Sequence, residues 1–288
     1  MEHSLPADTQ IGHVRLIVAD LERALLFYRD LLGLAAGSGE QEVATLSSPS
    51  GEVVVELEAQ PQARPRPPHT TGLYHIAIRL PDRPSLAALL QRLLDARYPL
   101  QGASDHLVSE AVYLPDPDGN GVELYVDRPR DTWLWQAGQV AMTTKPLDVE
   151  GLLSEAGKNG SGWQGIAAGT DMGHIHLQVA DLGRAEAFYR GLIGLDVTVR
   201  GYPGALFLSA GGYHHHVGLN TWAGRGAAPA PSGTVGLAHF ALKIQDEAAR
   251  QALIARVQAA GLELRPAGRE AGRERYLVSD PDSNRVLI

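Results

Sequence analysis

Three histidines stand in a row in "GYHHHVGLN" (212–220), and four more, His13, His75, His174 and His239, stand in segments that alternate like β-strands. Imidazoles titrate near neutrality and bind divalent metals, so they can serve proton transfer or metal chemistry. Two glutamates, Glu56 in "GEVVVELE" and Glu123 in "GVELYV", fall in later strand-like segments. A lone histidine at a strand start is usually structural. Four that recur in register with Glu123 point instead to a metal site. In the histidine run, His215 shares the face of the apolar Val217 and Leu219, so strand alternation predicts that His214 and His216 point the opposite way, into a concave pocket. A one-residue slip would exchange the two faces.

The elements that must position these residues are repeated. "IGHVRLIVADLERALLFYRDLLGL" (11–34) and "MGHIHLQVADLGRAEAFYRGLIGL" (172–195) agree at 15 of 24 positions without a gap, at an offset of 161. This is an internal duplication. Each copy reads as a strand, an aspartate at a helix N-cap (Asp20, Asp181), about three helical turns, and a glycine at the C-terminal cap (Gly33, Gly194). A fainter echo links "GLYHIAIRL" (72–80) to "GLAHFALKI" (236–244). In the helix after the first of these, Leu86, Leu89, Leu90, Leu93 and Leu94 share one face. Strand–turn–strand segments follow, "VYLPDPDGNGVELYV" and "YLVSDPDSNRVLI". The spacing of "DPDGNG" between strands predicts a hairpin turn rather than a calcium loop. The chain therefore divides into four strand–helix–strands modules, 11–60, 72–127, 172–220 and 236–288. They are grouped as domains 1–127 and 172–288 around a linker at 128–171.

Composition narrows the function. A net charge of −8 with no basic block argues against nucleic-acid or anionic-membrane partners. The absence of cysteine excludes disulfides, thiolate metal sites and cysteine nucleophiles. The opening "MEHSLPADTQ" lacks a secretory pattern and no apolar run reaches membrane-spanning length, so a cytoplasmic protein is expected. The oligomeric state is left open, a homo-oligomer included.

Four βαβββ modules, with "GH" opening strands and "DPDGNGVEL" closing one, resemble the vicinal-oxygen-chelate superfamily of glyoxalase I, antibiotic-sequestering proteins and extradiol dioxygenases. The resemblance spans nearly the whole chain, and "SDHLVSEAVYLPDPDGNGVELY" with "YHHHVGLNTW" is most similar to the catechol 2,3-dioxygenase branch. It implies an α+β fold in which paired modules form two half-barrels. It also implies a metal held by first-strand histidines from two modules and a last-strand glutamate from one of them. Only module 2 carries both, as His75 and Glu123. At the last-strand position module 3 is aligned with His216 and module 4 with Leu287, which marks module 4 as structural. Pairing module 2 with module 3 adds His174 as the third ligand and brings in the histidine run. Pairing it with module 1 makes His13 the alternative ligand, in a glyoxalase-like set of His13, Glu56, His75 and Glu123.

Two histidines and a carboxylate leave three adjacent positions on an octahedral ion, the arrangement of non-haem Fe(II) oxygenases. The resemblance further implies a substrate-orienting Tyr113, a proton-handling His106 and His216, and a substrate-facing His214. The expected activity is extradiol ring cleavage of a small aromatic diol with O₂, dependent on Fe(II), with Mn(II) as the alternative ion. A glyoxalase-like isomerase or lyase and a metal-free drug-binding protein are the competing readings.

Overall fold

A computed structural model describes residues 4–37, 42–157 and 163–288. The duplicated segments form as their patterns predict. Asp20 and Asp181 accept hydrogen bonds from the backbone N–H of Arg23 and Arg184, capping helices that begin at Leu21 and Leu182. Both helices widen into π-type turns, Leu26–Leu31 and Ala187–Ile193, before stopping at Gly33 and Gly194 in left-handed conformation. The wide turns bury Tyr28 and Tyr189, whose hydroxyls donate to Asp116 and Asp280 at 3.0 Å each. Those aspartates also accept backbone N–H groups of their own turns, from Asp118 and Asn120 and from Asp282 and Asn284. The two "DPD" segments are thus hairpin turns pinned to a neighbouring helix.

The sheets pair modules in a nested order. Modules 4 and 1 form an eight-stranded sheet, joined through antiparallel pairing of Gly236–Lys243 with Gln10–Val18. Modules 2 and 3, with one added strand from the linker, form a nine-stranded sheet, joined through Gly72–Leu80 and Asp171–Gln178. Repeats that run in sequence as 1–127 and 172–288 thus contribute one module each to both curled sheets. Within each module the last strand lies parallel to the first, with Ala77 opposite Glu123 and Arg15 opposite Glu56. Apolar side chains on the outer faces of the sheets pack against the helices in one continuous core. That leaves the polar residues of the first strands for the concave sides.

The linker, of which 158–162 lie outside the described residues, carries structure of its own. Lys145–Pro146 adds a strand beside Gly102–Asp105, and the short helix Val149–Leu153 lies over the module 2 helix, where Arg83 reaches the Gly151 carbonyl at 3.1 Å. Trp133 packs on Tyr213 and His214, filling a seam behind the strands, while Trp135 is exposed. Among the described residues no helix is long and apolar enough to cross a membrane.

Gly173, the glycine before His174, is required by packing. A Cβ there would run into the phenol of Tyr125, which is fully buried beneath it. Gly173→Ala is therefore expected to destabilise the chain by about 1–3 kcal/mol, the usual range for overpacking, measured by urea unfolding.

Candidate metal centre

The antiparallel pairing of modules 2 and 3 places His176 opposite His75 and His174 opposite Ala77. Glu123, on the neighbouring parallel strand, is also opposite Ala77. Three side chains from three adjacent strands therefore converge on one concave face. Glu123 Oε2 lies 2.9 Å from His75 Nε2 and 3.3 Å from His174 Nε2. Both imidazole nitrogens are buried without a hydrogen-bond partner. One ligand atom from each of the three residues lies within 4.8 Å of the others, so they form a group able to hold a metal ion. Orphaned nitrogens turned toward a buried carboxylate are what such a site presents before it is filled.

A cavity of about 390 Å³ opens in front of these residues. Tyr113 faces Glu123 across its hairpin, and its hydroxyl lies 2.7 Å from His106 Nε2. His106 Nδ1 sits 2.8 Å from the Thr143 carbonyl, which can only accept, so Nδ1 carries the proton in the neutral ring. Nε2 then accepts from Tyr113, and the phenol oxygen keeps a lone pair for the cavity. Met142 and Thr144 complete this wall, with Thr144 Oγ1 2.6 Å from the Tyr202 hydroxyl of module 3. The linker thus belongs to the site.

The histidine run turns differently from expectation. The strand begins only at Val217, so residues 214–216 do not alternate as strand residues. His215 lines the cavity, its ring centroid 4.1 Å from that of His174, whereas His214 and His216 lie behind it. His216 stacks on Tyr213 and accepts from the Ala210 N–H at Nδ1. Register places Gly218, not His216, at the position of Glu123, because Gly218 pairs with His176 as Glu123 pairs with Ala77. The substitution has a steric reason: a Cβ at Gly218 would crowd the His176 ring. His176, which sequence reasoning passed over, lines the cavity with Tyr74, Phe207 and Trp222 around it, and its Nε2 is 3.0 Å from Asn220 Nδ2. The two-residue spacing of "HIH" on a strand was the signal for it.

His13 lies in the other half-barrel, beside Glu56 and His239. The four-ligand set of His13, Glu56, His75 and Glu123 is not assembled, because modules 1 and 2 contribute to different sheets.

Comparison with known proteins agrees with this architecture. The family model described as glyoxalase/bleomycin resistance protein/dioxygenase superfamily matches residues 10–124 and 171–288. The chain belongs to that superfamily. A Bacillus subtilis (strain 168) protein named catechol-2,3-dioxygenase is 43% identical over 288 residues, covering 99% of this chain and 98% of the relative. Glyoxalase I from Zea mays superposes with a TM-score of 0.58 at 16% identity, over 97% of this chain and 92% of that one. The cppA protein of Streptococcus pneumoniae does so with a TM-score of 0.56 at 10% identity, over 96% and 97%. At such identities the two structures speak for the fold alone.

The electrostatics of this superfamily member favour a cation. Burial opposes the charged form of Glu123, but His174 and His75 hold its carboxyl well below the usual range. Burial pushes His174 down to about 4, and pushes His176 and His215 well below the ordinary histidine value. Near neutral pH the site therefore offers an ionised carboxylate beside a neutral His174, which has no proton to release when a metal binds.

Two outcomes are expected. Glu123→Ala and His174→Ala should each lose the ion of this site in elemental analysis of metal-loaded protein. Metal-free protein should lose thermal stability as pH falls below 6.5, the ordinary histidine value, since burial also lowers His216 and His239 to about 3. In that window the unfolded chain binds more protons than the folded one, so stability decreases with acid until the folded pKa values are passed. Melting curves across the window check this; a flat profile would contradict it.

Proposed function

We propose that this chain is an Fe(II)-dependent extradiol dioxygenase that opens the ring of a catechol-type diol with O₂. The observation that carries the reading is the convergence of His75, His174 and Glu123 on a cavity also lined by His215 and the His106–Tyr113 pair. The 43% identical relative named catechol-2,3-dioxygenase supports it. His75, His174 and Glu123 would hold the iron, with Mn(II) as an alternative ion. When bound, it supplies the redox-active cation at which the adjacent oxygens of the diol and dioxygen can be brought together.

The protein supplies the proton handling. One carboxylate against a divalent ion leaves a single positive charge, which a diol that has lost one proton neutralises in a poorly solvated pocket. His215 is set to take that proton. Burial opposes ionisation of Asp127, but His214 and Arg79 hold its carboxyl below the usual range, so it accepts from His214 Nε2–H at 2.9 Å and from Arg79 at 3.1 Å. In the neutral His214 ring Nδ1 is then the acceptor, and His215 Nδ1, 2.8 Å away, donates to it. The tautomer forced on His215 leaves Nε2 unprotonated and available to the cavity. His214 acts through His215 rather than on the substrate.

On the opposite wall, the Tyr113 oxygen accepts a hydrogen bond from the second diol hydroxyl, and His106 receives protons passed through the phenol. Phe207, Val122, Tyr74 and Trp222 give the ring an apolar enclosure, with Tyr74 and Trp222 at its rim. This proton-transfer machinery weighs against a simple binding protein, which has no use for it.

Fe(II)-loaded protein is expected to consume O₂ with catechol and release a yellow ring-opened product. His106→Phe and His215→Phe should keep the iron and lose on the order of 10² to 10⁴ in turnover, as general acid–base groups do. Tyr113→Phe should cost about tenfold at most, the worth of one orienting hydrogen bond. His13→Ala should leave turnover intact. Oxygen-electrode rates beside iron content check the set; normal rates in the His106 and His215 variants would remove the assigned proton path.

A further inference from the structure

We propose that the half-barrel of modules 1 and 4 binds a second divalent cation through His13, Glu56 and His239. These residues hold the same pattern as the first site, two first-strand histidines and a last-strand glutamate, and one ligand atom from each lies within 4.8 Å of the others. His13 Nε2 is 3.5 Å from Glu56 Oε2, and the rings of His13 and His239 meet edge-to-face at 5.8 Å, against 5.6 Å for His75 and His174. His239 is only 7% exposed and its Nε2 is buried with no hydrogen-bond partner, the condition also found at His75 and His174. A buried orphan nitrogen beside a carboxylate is costly unless something fills the gap.

The second site is not a copy of the first. There, Glu123 comes from the module in the position of module 4, whose counterpart residue is Leu287, opposite Ala241 as Glu123 is opposite Ala77. Here the carboxylate comes from the other partner, module 1, where Glu56 lies opposite Arg15. The constellation has been rebuilt from the opposite wall. Two imidazoles and one carboxylate suit a first-row divalent ion and leave coordination positions for water.

Its surroundings define its role: the charge of Arg275 falls on His13, His239 and Glu56, that of Arg285 on His239, and two further features separate it from the first site. Thr45 faces Glu56, and Leu277 faces Leu287, where Tyr113 faces Glu123, so neither hairpin sets a phenol at the position Tyr113 holds in the first site. Arg15 Nε sits 2.8 Å from Glu56 Oε2 and competes with a cation for the carboxylate. Arg15 is about one-third exposed and can swing outward. The second ion is therefore a stabilising one, held more weakly than the first and opposed by Arg15.

Mn(II) titration of metal-free protein, followed by electron paramagnetic resonance, tests this. The intact chain should bind two ions, Glu56→Gln and Glu123→Ala one each, and the double variant none, with Glu56→Gln leaving turnover unchanged. In the Glu123→Ala background, Arg15→Leu keeps all three donors and should tighten the remaining site by on the order of tenfold, through loss of a nearby positive charge. The proposal is overturned if Glu56→Gln matches the intact chain in stoichiometry and affinity, or if Glu123→Ala binds no Mn(II). It is overturned equally if Arg15→Leu leaves the remaining affinity unchanged.

Discussion

The antiparallel contact between the first strands of modules 2 and 3 is the constraint on which the centre depends. A strand presents alternate side chains to each face, so a shift of one residue in that pairing would send His174 into the core and bring apolar side chains into the cavity. The register is protected on both sides. Ile175 and Leu177 are fully buried in the core, and Gly173 admits the Tyr125 ring. The hairpin Ser109–Pro115 and Gly121–Asp127 then carries Glu123 to the same height. No single element makes the site; the sheet does.

Behind it stands a buried network that spends polar groups freely. Asp127 receives Tyr213, His214 and Arg79, and the Tyr125 hydroxyl meets that of Tyr213 at 2.6 Å. Each polar group is matched, which is the condition for such a network to rigidify rather than weaken a core. Its effect reaches the cavity as a choice of tautomer at His215. Geometry alone would place an imidazole there, and the carboxylate two residues' contacts away decides which nitrogen is basic.

Much of the fold was legible because duplication leaves a signal no local preference can imitate. The helix caps at Asp20 and Asp181, the strand positions of His75, His174 and Glu123, and the hairpin at Asp116 all follow from period and turn chemistry. The histidine run was not legible in the same way. Reading it as strand assumed that alternation extends back past Val217, yet the chain turns through Gly211 and Gly212 in left-handed conformation and reaches the sheet only at Val217. Turn geometry, not periodicity, sets where His214, His215 and His216 point. The linker's share was hidden for another reason: it offers the Thr143 carbonyl, and a backbone acceptor has no residue type to recognise.

The nested order of the sheets has a consequence for how the molecule assembles. Modules 2 and 3 adjoin in sequence apart from the linker, so their half-barrel can close while the chain is still being made. Module 1 must wait, its partner strand lying more than two hundred residues away at Gly236–Lys243. Loop closure over that distance is slow, and until it occurs the strand Gln10–Val18 keeps an unpaired edge on one side. The growing chain thus carries an open edge from its first strand almost to its last, and the enclosed half that holds the cavity is the one able to form first.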